Sequence, residues 1–169
     1  TFRGYTDNKP SYIQPVDSRT ESILAYGPLR TVVEIHDEDW QYNNQTLDLT
    51  LRYILYGGLR DAEVAVKICS DEPINSTFCT GLIKLDNCQT YSDHKGTAAV
   101  WGDNWPAGRK DTVGRKKEVL GMAVKIPQRN VVGEPENEEN MIYLLGEKAR
   151  ILTKELAFSY HIAFASDKE

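Results

Sequence analysis

The chain has 169 residues, a formal net charge of −5 and 40% apolar residues. That length suits one hydrophobic core, and that apolar content is too high for a disordered chain. No apolar run reaches the roughly 18 residues a membrane-spanning helix requires, and the acidic balance argues against global attraction to nucleic acid or to an anionic membrane.

Residues 1–22 offer little to bury: prolines, Asp7, Asn8 and several serines surround Tyr5, Tyr12 and Ile13. They predict either a frayed terminus or a flexible arm, with Tyr12 and Ile13, flanked by Pro10 and Pro15, as its docking anchor on a neighbouring subunit. Residues 23–169 are then a single globular domain. Its first strand is expected at residues 29–35, where β-branched side chains dominate. An acidic loop, His36 to Asp39, follows; it lacks the glycine and alternate-acid spacing of a calcium loop.

Residues 46–56 carry two patterns at once. Leu47, Leu49, Leu51, Tyr53 and Leu55 alternate with polar residues as in a strand, while Leu47, Leu51, Ile54 and Leu55 share a helical face between Thr46 and the Gly57-Gly58 pair. Alternation favours the strand. Strands are also expected at residues 63–69, 81–85, 97–101, 118–126 and 155–165, with a glycine-rich loop at 102–114. Residues 140–152 show helical spacing in Met141, Leu144, Leu145, Ala149 and Leu152, behind the acidic stretch 133–140.

Local chemistry is sparse. No nucleophile elbow, phosphate loop, zinc-protease helix or Cys-x-x-Cys pair is present. Among three histidines, His94 beside Asp93 is the one pair placed for proton transfer, and His161 reads as a surface or rim residue. Cys69, Cys79 and Cys88 are too widely spaced for a usual zinc knuckle even with His94 as a fourth ligand. No enzyme, metal or cofactor is expected.

Five cations, Arg109, Lys110, Arg115, Lys116 and Lys117, fall within nine residues. They are either a solvated loop or a contact for phosphates or lipid headgroups. Trp101 and Trp105 flank a glycine-bearing stretch beside them and are either packing residues or a platform for a sugar or a base. An odd cysteine count points to free thiols in a reducing compartment. The sequons at Asn44 and Asn75 point instead to a secreted protein, in which Cys79–Cys88 or Cys69–Cys88 would be the bridge.

Three stretches together resemble the matrix proteins of rhabdoviruses: Leu24-x-Tyr26 with the segment from Thr31 to Ile35; the segment from Thr46 to Tyr53 with Tyr56, a basic glycine-containing turn and Val64 to Ser70; and the segment from Glu118 to Ile126. The resemblance covers order and spacing over roughly residues 24–69 and 118–165. It implies an α+β fold: one β-rich domain, two helices (one over residues 47–55) packed on an antiparallel sheet, and an extended N-terminal arm. It further implies a non-enzymatic scaffold that self-associates through the arm and acts in assembly and budding. The partners would be the nucleoprotein–RNA complex, the inner membrane leaflet and a viral glycoprotein tail, in the virion, the host cytoplasm and the membrane periphery. The five cations would meet headgroups or nucleocapsid. Pro10-Ser11-Tyr12 stands where that family's arm carries Pro-Pro-x-Tyr, and the chain is acidic where its animal-virus members are basic. The alternative is an all-β sandwich: a secreted or ectodomain binding module glycosylated at Asn44 and Asn75.

Overall fold

A computed structural model describes residues 1–104, 117–146 and 153–166. Two antiparallel sheets face each other. The small sheet runs β11 (Val131–Gly133), β12 (Asn140–Leu145), β7 (Phe78–Ile83), β1 (Arg3–Thr6), β2 (Lys9–Ser11). The large sheet runs β3 (Ser18–Ala25), β4 (Arg30–Tyr42), β5 (Gln45–Tyr56), β6 (Asp61–Cys69), β13 (Glu155–Ser166), β10 (Glu118–Lys125), β9 (Thr97–Asn104), β8 (Asp86–Ser92). Among the described residues there is no α-helix, only a single 3-10 turn at Gln128–Asn130. The expected α+β arrangement with two helices is therefore corrected to the all-β alternative.

The two helical expectations fail for distinct reasons. In β5 the period-2 pattern wins: Leu47, Leu49 and Leu51 are buried, and Thr50 and Arg52 turn outward. In β12 the run from Met141 to Leu145 is a short apolar strand held between β7 and β11, with Ile142, Tyr143 and Leu145 buried. A short apolar run of this kind matches helical and buried-strand templates equally well. Residues 147–152 lie outside the described residues.

Residues 1–22, read as an arm, are built into the sandwich as β1, β2 and the start of β3. Asp7 and Asn8 form a two-residue turn with φ of 53° and 61°, the left-handed pair that suits a tight hairpin. Asn43 and Asn44 do the same between β4 and β5. Phe2 is buried and stacks on Phe78 at 5.5 Å between centroids, beside the Trp40–Tyr42 stack at 4.5 Å. The Tyr42 hydroxyl locks β1 in place: it accepts from the Tyr5 N–H at 2.6 Å and donates to the Thr77 carbonyl at 2.8 Å. Gly4 permits that approach, since a Cβ there would lie 2.7 Å from the Tyr42 ring.

His36 to Asp39, expected as an acidic loop, is part of β4. A bulge with Asp39 at φ 52° shifts the inward parity from Asp37 to Trp40 and Tyr42. Asp37 is fully buried, and its Oδ1 accepts from the Arg19 guanidinium Nε at 2.5 Å.

Candidate functional site

Inward residues of the large sheet pack on the small sheet, so its outer face holds the side chains of alternate residues. Pairing registers order that face into rows. Gln89, Trp101, Gly121 and Ala165 form one row across β8, β9, β10 and β13. Tyr91, Ala99, Ala123, Ala163 and Asp61 form the next, reaching β6. Thr97, Lys125, His161 and Glu63 form the third.

The first two rows make a shelf. A Cβ on Gly121 would lie 2.5 Å from Cε3 and 2.7 Å from Cζ3 of Trp101, so the indole lies directly over the glycine. Trp101 is still 47% exposed and Tyr91 58% exposed. Diagonal neighbours on adjacent strands stand about 7–8 Å apart, which sets two aromatic side chains along one line on a floor of alanines. With Arg60 at the rim they enclose an open, mostly apolar depression of about 460 Å³.

Ionisable groups follow directly. His161 Nδ1 lies 2.7 Å from Asp61 Oδ2, and Asp61 is register-paired with Ala163 of the shelf. Lys125 on β10 and Glu63 on β6 stand opposite His161 on either side. Beyond them lie the Arg52–Glu34 pair at 2.5 Å and the Lys67–Glu155 pair at 3.2 Å.

A second polar cluster ties the ends of the sheets together. The Ser92 hydroxyl is 2.9 Å from Glu134 Oε1 and 2.8 Å from the Tyr143 hydroxyl, and it accepts from the His94 N–H at 3.0 Å. His94 Nδ1 meets Glu134 Oε2 at 2.9 Å. Burial pushes the Tyr143 phenol above its ordinary value, with the Ser92 hydrogen bond opposing. The cluster joins the β8–β9 turn to β12 and to the segment that precedes it, which is a clamp between sheets. The expected His94–Asp93 pair is replaced: Oδ1 of Asp93 accepts from the backbone N–H groups of Lys95 and Thr97 at 2.7 and 2.8 Å. These bonds hold its carboxyl below the usual range.

The other sites expected from sequence scatter. Tyr12 is exposed under the Arg3 guanidinium at 4.3 Å, Ile13 packs on the core, Pro10 pairs with Tyr5 in the β1–β2 hairpin, and the Pro15 carbonyl accepts from Gln41 N–H at 3.0 Å. Arg109, Lys110, Arg115 and Lys116, with Trp105, lie outside the described residues; Lys117 pairs with Asp86 at 2.6 Å. Asn44 and Asn75 are exposed, and the side chain of Gln45 bonds to the backbone of Asn75, so the sequons are neighbours. Cys69, Cys79 and Cys88 are free thiols. Among the described residues no three His, Cys, Asp or Glu side chains are grouped to hold a metal. Sequence reading picked out Trp101. It missed Tyr91, Gly121 and the Asp61–His161 pair, whose partners are 100 residues apart in the chain.

The sequence profile of a family described as "Domain of unknown function (DUF4861)" matches residues 1–169. No curated protein matches the chain.

Proposed function

Since the chain belongs to the DUF4861 family, whose description assigns no activity, we propose from its own surface that it is a β-sandwich carbohydrate-binding module. Its ligand lies on the Trp101 shelf. The observation that carries this is the seating of Trp101 over Gly121, half exposed beside a depression lined by alanines. A pyranose ring has a C–H face that suits the negative face of an indole, and equatorial hydroxyls that need donors and acceptors around the rim. Arg60, Gln89, Asp61 and His161 supply these. Mixed charge on the same face disfavours a nucleic-acid backbone, which asks for a cationic track. Exposure of Asn44 and Asn75 supports the secreted, glycosylated form of the module. A self-associating matrix scaffold draws less support, because residues 1–22 are engaged within their own body.

Binding to a panel of soluble polysaccharides by affinity electrophoresis tests the proposal. Retardation by at least one glycan is expected, with loss of roughly 10–100-fold in affinity for Trp101→Ala, the size of a stacking contact. Equal retardation of wild type and Trp101→Ala would overturn it.

A further inference from the structure

We propose that this face also acts on its ligand, with His161 as general base on a 4-linked uronate glycan; this rests on the shelf being the glycan site. The Asp61–His161 pair has no structural task of its own, because β6 and β13 are already joined along nine register pairs from Glu155↔Cys69 to Ala163↔Asp61. The contrast is with His94 and Glu134, which belong with Ser92 and Tyr143 to a cluster that bridges segments of different sheets. With Nδ1–H donating to Asp61 Oδ2 at 2.7 Å, the lone pair of His161 is on Nε2, and the side chain is half exposed on the outer face. Ala165 of the shelf and His161 are four residues apart on one strand, about 13 Å. A glycan of several units seated on Trp101 therefore passes over the imidazole.

The neighbours select the chemistry. Lys125 stands directly across from His161. A cation beside a base suits removal of the proton α to a carboxylate, whose developing charge the ammonium neutralises. Hydrolysis would ask for two uncommitted carboxyls, and Asp61 is committed to His161. In the step, Nε2 takes the proton from C5 of the uronate. The C5–H electron pair becomes the C4=C5 double bond, the C4–O4 bond breaks with its electrons on O4, and the imidazolium returns the proton to O4. No co-reactant is needed, and two shorter chains result, one with an unsaturated end.

Incubation of the chain with galacturonan, glucuronan and mannuronan–guluronan, and with neutral glucans as controls, tests this by ultraviolet absorbance of the new conjugated double bond, alongside binding. The expected result is absorbance growth on a uronate polymer. His161→Ala and His161→Gln should lower the rate by about 10²–10⁴-fold while leaving the melting temperature unchanged and weakening binding far less than Trp101→Ala does. Asp61→Asn should lower kcat much more than it alters KM, as a residue that acts through His161 does. Lys125→Ala should lower kcat/KM. Binding of uronates without absorbance would overturn the catalytic proposal and leave the binding module standing. Binding of neutral glycans alone would overturn the substrate class. Binding of no glycan would overturn both proposals.

Discussion

Gly121 and Trp101 face each other across β10 and β9 so closely that a side chain at residue 121 would displace the indole, its Cβ falling 2.5 Å from Cε3. Gly121→Val is therefore expected to tilt Trp101 off the shelf and to weaken glycan binding as much as Trp101→Ala does. The fold should tolerate it, since the ring's other side faces solvent and valine suits a strand. Binding assays paired with thermal melts of both variants check this.

Phe2 stacks on Phe78 inside the core, and Tyr42 bonds to β1. Phe2→Ala should cost about 3–5 kcal/mol, the range for a buried aromatic truncated to a methyl. Denaturant unfolding of the variant measures it. Removal of residues 1–16 should unfold much of the molecule. A truncated chain that kept its melting temperature would mean that the first hairpin is the loose arm the sequence suggests.

Tyr143→Phe removes the hydroxyl that meets Ser92 and the Thr97 carbonyl, at 2.8 and 3.1 Å. A loss of about 1–2 kcal/mol is expected, with hydrogen exchange rising in the β8–β9 turn and the segment after β11. Exchange confined to β12 would contradict the clamp.

Asp93 gives that turn a pH dependence. Backbone donors from Thr97 and Lys95 hold its carboxyl below the ordinary value. A depressed folded value means that the stabilisation is complete above the unfolded pKa, about 3.9, and is lost as pH falls through the folded one. Stability should decline below about pH 4, and less steeply for Asp93→Asn than for wild type; acid titrations followed by circular dichroism read the difference.

Burial pushes the Cys79 thiol up to about 12. Its sulfur also meets the Gly4 carbonyl at 3.4 Å. At neutral pH Cys79 should resist alkylation in the native state and react only on unfolding, which mass spectrometry of labelled peptides resolves.

Much of this architecture was legible where local pattern and global burial agree. The alternation of Leu47, Leu49 and Leu51, the β-branched run of β6 and the aliphatic strand around Val124 all follow from period 2. The first hairpin was not recognised because β1 and β2 are only four and three residues long, and the large apolar side chain that anchors them, Phe2, lies just before β1. The Asp7-Asn8 dipeptide, which favours positive φ, was its one local signal. The helix expected at residues 140–152 arose from aliasing between a 3.6-residue repeat and a short apolar strand. The shelf is a register product. Gly121, Trp101 and Tyr91 are unremarkable separately, and no local pattern says that β13 joins Asp61 to His161.

Chemical-shift mapping of the ¹⁵N-labelled chain, titrated with the tightest glycan from the binding panel, tests the central claim most directly. Perturbations should concentrate on β9, β10 and β13 and on the Trp101 indole N–H, with His161 and Asp61 included when the oligosaccharide is long enough. Shifts confined instead to a separate open depression lined by Lys84, His94, Glu134 and Asn137, or an unmoved Trp101 signal under saturating ligand, would contradict it.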